Sequence, residues 1–305
     1  MWAHAAGSMM LASAMLLTSA RNASSQSDPK SMAARALPGR IVEVKASEFS
    51  FRAPDTIPAG LTSFRLLQEG LVADRLRAGV RGRALVADKD DETRGVHMLW
   101  VVRLDSGRTV ADLYRAAREG QRTTSWARQL GGPAFAHPPS TTNATLDLEP
   151  GNYALVCYIG SARADRARYH LLNGMFRALT VVPSTQRRAA VPKVDIVATI
   201  SAEKVVTFSK PLRAGRVMMR VQNESDEDLE FKLQRVPAGV TGQAFLAQTR
   251  GTGPGVPAGG LSSVPPGATV ITTLDFRPGE YIVGTHASIR HATSRVVTVA
   301  SGNAR

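Results

Sequence analysis

Leu146-Asp147-Leu148-Glu149-Pro150-Gly151-Asn152-Tyr153 returns 128 positions later as Leu274-Asp275-Phe276-Arg277-Pro278-Gly279-Glu280-Tyr281. The spacing around it repeats too: Gly131-Gly132 and Gly259-Gly260 each stand fourteen residues upstream. Arg103-Leu104-Asp105-Ser106-Gly107-Arg108-Thr109 matches Arg235-Val236-Pro237-Ala238-Gly239-Val240-Thr241, and Ala59-Gly60 and Ala214-Gly215 each introduce a strand-like run. A chain that repeats letters and spacing is two copies of one unit. With 305 residues there is room for two domains of ordinary size. The repeat places them at residues 38–183 and 193–300, with 184–192 as linker.

Within each unit the apolar runs are short and bounded by turn residues, which reads as strands. In the first they cover 41–51, 62–67, 96–104, 145–158 and 175–182. The Glu149-Pro150-Gly151-Asn152 turn is expected to join two strands as a hairpin, because Pro presets its φ and Gly accepts a positive one; Arg277-Pro278-Gly279-Glu280 should do the same. One short helix interrupts each unit. Thr109 is an N-cap with Asp112 three residues on, and Val110, Leu113, Tyr114 and Ala117 follow at helical spacing. Its counterpart starts at Thr241 and packs through Phe245 and Leu246, although Gly242 lowers its propensity. The fold class is therefore all-β, two tandem β-sandwiches with a helix each.

Met9–Leu17 is a short apolar stretch followed by small residues, the pattern of a secretory signal over residues 1–26, and it predicts a periplasmic or secreted protein. The n-region carries His4 but no Lys or Arg. No other apolar run has the length of a membrane span. The net charge of +13 favours anionic partners, an acidic redox protein or an anionic surface. Basic residues are interleaved with acids, as in Arg163-Ala164-Asp165-Arg166-Ala167-Arg168, so nucleic acid is not expected. A charged insertion spans Leu71 to Arg94 and lacks the spacing of a calcium loop.

Cys157 is the only cysteine, so an exported chain has no internal disulfide. It is either an inert core thiol or a metal thiolate. Taken singly, a strand histidine is usually structural and a lone methionine fills core. Together, His97 in a strand and Cys157, His170 and Met175 near the unit's C-terminal end supply two imidazoles, a thiolate and a thioether, the donor set of a blue copper site.

These residues and their context resemble the cupredoxin family, the plastocyanin and azurin type. The resemblance covers most of 41–182. It is carried by Pro150-Gly151-x-Tyr153-x-x-x-Cys157, by His170-x-x-x-x-Met175 with Gly174 before the methionine, by the closing run 176–182 and by His97. It implies a Greek-key sandwich in each unit and one type-1 copper bound by His97, Cys157, His170 and Met175. Twelve residues separate Cys157 from His170, more than in familiar small cupredoxins, and Arg163, Arg166 and Arg168 make that loop charged.

The second unit places Leu229 at the position of His97 and Thr285 at that of Cys157, so it is expected to be a ligand-less scaffold or partner-binding unit. His286 and His291 are read as surface or structural residues. The six histidines include no His-x-His or His-Cys-His motif, and neither a Gly-x-Ser-x-Gly elbow nor a P-loop occurs. The expectation is a non-enzymatic copper protein for electron transfer or copper carriage. The alternative is a metal-free interaction module.

Overall fold

A computed structural model describes residues 36–47, 49–69, 96–121, 124–135, 140–160, 169–249, 256–286 and 293–301. The N-terminal signal-like segment, the Leu71 to Arg94 insertion, the arginines of the Cys157–His170 loop, His137 and His291 lie outside them. Leu37–Arg305 form one compact unit. Its first half runs β1 (Arg40–Ser47), β2 (Ser50–Arg52), β3 (Thr56–Pro58), β4 (Gly60–Gln68), β5 (Trp100–Leu104), α1 (Val110–Arg118), β6 (Ala127–Gly131), β7 (Ser140–Leu148), β8 (Gly151–Val156), a 3-10 turn (His170–Asn173) and β9 (Phe176–Val182). The second half repeats this with β10 (Ile196–Ile200), β11 (Val206–Phe208), β12 (Gly215–Asn223), β13 (Leu229–Arg235), α2 (Gly242–Thr249), β14 (Val256–Val264), β15 (Thr269–Phe276), β16 (Gly279–His286) and β17 (Thr293–Val299).

Each half is a sandwich whose chain passes repeatedly from one sheet to the other. β1 pairs in parallel with β4 and β10 with β12. The facing sheets run β3-β9-β8-β5-β6 in the first half and β14-β13-β16-β17 in the second. Inward-facing positions are apolar on both layers, as in Val42, Val44 and Ala46 of β1 or Met219 and Val221 of β12, and the buried core is continuous through both halves. Both helices form as expected. Thr109 and Asp112 make a reciprocal capping box on α1, and Phe245 of α2 is buried against Val236 and Ile282.

The repeated Pro-Gly turn is a corner, which corrects the expectation of a hairpin. β7 belongs to one sheet and β8 to the other, with no pairing between them, and β15 and β16 are related in the same way. The repeated tyrosine holds each corner. Tyr153 Oη donates to Glu149 O at 2.7 Å and Tyr281 Oη to Arg277 O at 3.1 Å, an arrangement known from other β-sandwiches. The repeated arginine braces the same turn, Arg103 reaching Pro150 O and Arg235 reaching Pro278 O, each at 3.4 Å.

The halves join across a local two-fold relation. β7 pairs with β15 at Thr145 and Ile271, merging the two outer sheets into one of eight strands, β11-β10-β12-β15-β7-β4-β1-β2. A second contact joins Pro133 to Leu261: Ala134 N–H donates to Gly260 O at 3.1 Å and Ser262 N–H to Gly132 O at 2.9 Å. Residues 132 and 260, and 134 and 262, are 128 apart, so each bond is the other's mate under the repeat. The contact is isologous within one chain. The double glycines fit tight backbone packing beside this joint: a Cβ on Gly131 would lie 3.1 Å from Ser263 O across it, and the next glycine of each pair packs against its own half. A Cβ on Gly132 would lie 1.9 Å from Leu99 O and one on Gly260 2.0 Å from Phe231 O, both with positive φ.

Replacing Gly132 or Gly260 by alanine is expected to cost more than ~2 kcal/mol, since strain and a backbone overlap act together. Urea midpoints would register it. Asn143→Ala is expected to cost ~1–2 kcal/mol in the same assay, because the Asn143 side chain both donates to Thr273 O at 2.7 Å and accepts from Thr273 N–H at 2.8 Å across the joint.

Candidate metal centre

Three of the four candidate side chains meet. His97, Cys157 and His170 are all buried, and one donor atom from each lies within 4.8 Å of the others. His97 Nδ1 and His170 Nδ1 are 3.2 Å apart, and Cys157 Sγ is 3.6 Å from His170 Nδ1. Met175 is fully buried and tied by its backbone to both neighbours: its N–H donates to His170 O at 3.0 Å and its carbonyl accepts from Cys157 N–H at 3.2 Å.

The local chain explains this convergence. Cys157 leaves β8, and the 3-10 turn carrying His170 folds back on it. His170 N–H donates to Ile159 O at 2.9 Å and Leu171 N–H to Cys157 O at 2.8 Å. Gly174, at φ 104°, caps the turn by donating to its carbonyls and directs the chain into Met175 and β9. The long Cys–His spacing is bridged as well. Gly160 and Tyr169 form an isolated antiparallel bridge, so the path across it from Cys157 to His170 runs through Tyr158, Ile159, Gly160 and Tyr169.

His97 lies ahead of its strand rather than in it, since β5 starts at Trp100. Its backbone lacks a ladder partner there, and a side chain substitutes: the Gln68 amide donates to His97 O and accepts from His97 N–H at 3.2 Å. Gln68 is 2% exposed at the end of β4. Sequence reasoning missed it, and a lone glutamine ending a strand run gave no signal of the role. It also missed Phe49, whose ring meets the His170 ring edge-on at 5.0 Å from a hairpin position with φ 50°.

The site is dry. Burial, then the neighbouring His170, drive the His97 pKa down to about 3, so the imidazole is neutral. Burial pushes the Cys157 thiol up to about 12, against the opposing pull of backbone N–H groups of Met98 and Ile159. His97 Nε2 is buried without a hydrogen-bond partner. The two rings face each other through Nδ1, so one proton between them would leave one ring with a bare Nε2. A metal ion in place of that proton lets both Nδ1 lone pairs and the thiolate donate at once. The residues fit a metal bound by two imidazoles and a thiolate.

The second half closes the equivalent space. Leu229 and Thr285 are fully buried there. Thr285 Oγ1 donates to Lys204 O at 2.8 Å and Thr293 Oγ1 donates to the same carbonyl. Lys204, at φ 66°, occupies the hairpin position that Phe49 holds in the first half.

No family model matches the chain, and no curated protein matches it in sequence. Solved structures similar to it include reduced auracyanin from the photosynthetic bacterium Roseiflexus castenholzii (13% identity, covering 48% of this chain and 98% of that one, TM-score 0.28). Auracyanin A, a "blue" copper protein from Chloroflexus aurantiacus, gives 14%, 47%, 98% and 0.27. A blue copper oxidase from Nitrosomonas europaea gives 11%, 86%, 86% and 0.23.

Two outcomes are expected of the metal-free chain. Cys157 should resist thiol reagents until the chain unfolds, so labelling in urea should follow the unfolding curve. Gln68→Leu should lower stability by ~2–4 kcal/mol, because it leaves the buried N–H and C=O of His97 unpaired; chemical denaturation would measure the loss. With its His–Cys–His cluster closing one end of a sheet-crossing sandwich, and the same sandwich repeated behind it, the chain has a cupredoxin-like fold.

Proposed function

We propose that the chain is an exported one-copper protein in which His97, Cys157, His170 and Met175 hold a type-1 copper for electron transfer or copper carriage. The observation that carries this reading is the convergence of His97 Nδ1, His170 Nδ1 and Cys157 Sγ in a buried pocket. Soft sulfur donors beside two imidazoles suit copper in both oxidation states. When bound, the metal supplies a one-electron couple.

The chain's own residues keep the donors nearly fixed, which favours rapid transfer. Gln68 anchors the backbone of His97, the 3-10 turn pins His170 to Cys157, and Met175 is locked between them by two backbone bonds. Peptide N–H groups of Met98 and Ile159 bonded to the sulfur stabilise the thiolate and tune its donor strength. Substrate turnover is not part of the reading, and the second half serves as scaffold or partner-binding unit. Among the described residues no helix is long and apolar enough to cross a membrane. The charge of +13 supports an acidic redox protein or an anionic surface as the partner. The export assignment rests on the signal-like pattern of residues 1–26.

One equivalent of Cu(II) added to the mature chain should give an intense blue thiolate band and narrow copper hyperfine splitting. Both should vanish in Cys157→Ser. Met175→Leu should keep the colour and raise the reduction potential, as loss of a thioether donor would disfavour the oxidised ion. A colourless protein, or copper binding indifferent to Cys157, would overturn the proposal in favour of a metal-free interaction module.

A further inference from the structure

The joint between the halves leaves a cleft of about 620 Å³, within the size range of small-molecule sites. Its first-half wall is aromatic: Trp100, Tyr158 and Tyr169 line it, with the Trp100 and Tyr158 rings edge-to-face at 5.4 Å. Tyr158 directly follows Cys157. Its side chain also lines an adjoining cavity of about 220 Å³.

The second-half wall supplies acceptors. Asp228, Glu230 and His286 line the cleft, and Glu230 and His286 are cross-strand partners on β13 and β16. One Asp228 oxygen accepts from Ser263 Oγ at 2.6 Å. Burial, with Lys232 nearby, brings the His286 pKa down to about 4, so at neutral pH its ring is uncharged and offers an acceptor nitrogen. Lys232 pairs with Glu230, and Arg118 stands at the rim, which disfavours an organic cation; the two carboxylates disfavour an anion. A flat, neutral molecule with hydroxyl donors satisfies both walls.

We infer that this cleft binds a small phenol of the dihydroxybenzene class, its ring packed against the aromatic wall of Trp100, Tyr158 and Tyr169 and its hydroxyls donating to Asp228 and His286. The inference goes beyond the electron-transfer reading by giving the fold a small-molecule ligand whose cleft is lined by Tyr158, one residue from Cys157. It also gives the ligand-less half a part in the site, since it contributes the acceptors.

Binding is testable without metal, using resorcinol as a probe and calorimetric titration of the full-length chain. The expected result is saturable one-to-one binding, unchanged in Cys157→Ser and weakened at least tenfold in both Asp228→Ala and His286→Ala. Gln129→Trp, which fills the cleft from the first-half side, should abolish it, and circular dichroism verifies the fold of each variant. The inference is overturned if resorcinol shows no saturable binding, if it binds indifferently to all three cleft variants, or if benzyltrimethylammonium or benzoate binds more tightly. Because Cys157→Ser removes a proposed copper ligand and leaves the cleft intact, failure of the copper reading and failure of the cleft are read separately.

Discussion

The architecture depends on one self-complementary joint. Backbone groups around Gly132 and Ala134 exchange hydrogen bonds with their own repeat counterparts around Gly260 and Ser262, while β7 pairs with β15. Each sandwich would otherwise present an open edge strand at this side, a template for unwanted pairing. Joining the two edges within one chain, through a single strand pairing at Thr145 and Ile271, covers both and creates the eight-stranded sheet. The same joint sets Asp228, Glu230 and His286 opposite Tyr158, so a chemically mixed cleft exists only because the halves are fused in this orientation.

The two halves show how little separates a metal-type site from a closed core. Both carry the β-hairpin with a positive-φ residue at its tip, Phe49 or Lys204, and both end the equivalent inner strand in a buried amide, Gln68 or Asn223. In the first half the amide holds His97 and the hairpin places an aromatic ring on His170. In the second, Thr285 and Thr293 donate to the Lys204 carbonyl, and Asn223 serves the backbone at Glu227 and Val264. Hydroxyl-to-carbonyl bonds stand where sulfur and imidazole stand in the other half, and among the described residues no such cluster of donors converges there.

Much of this was legible in the sequence. The 128-residue offset found the repeat, Thr109 and Asp112 marked a real capping box, and three of the four candidate donors, His97, Cys157 and His170, converge. The misreadings share a cause. A Pro-Gly turn specifies a reversal of the chain but not which sheet receives the next strand; Tyr153 and Tyr281 hold corners, and this depends on where their hydroxyls land in space. His97 was read as a strand residue from its apolar neighbours, yet its backbone is satisfied by a side chain from β4, a partner that periodicity cannot reveal. Sequence distance between Cys157 and His170 likewise does not record the Gly160–Tyr169 bridge across the base of their loop.

By itself the sequence determined what local chemistry dictates: alternating apolar positions that make strands, caps and turns at fixed offsets, a duplicated unit, and a single cysteine with two histidines and a methionine in reach. Tertiary structure alone decided which strands pair across the two halves, which side chains complete the His97 backbone and shield His170, and that a cleft opens beside Cys157. Those outcomes rest on contacts between residues far apart in the chain, where close approach, burial and hydrogen-bond geometry select the partner and local propensity is silent.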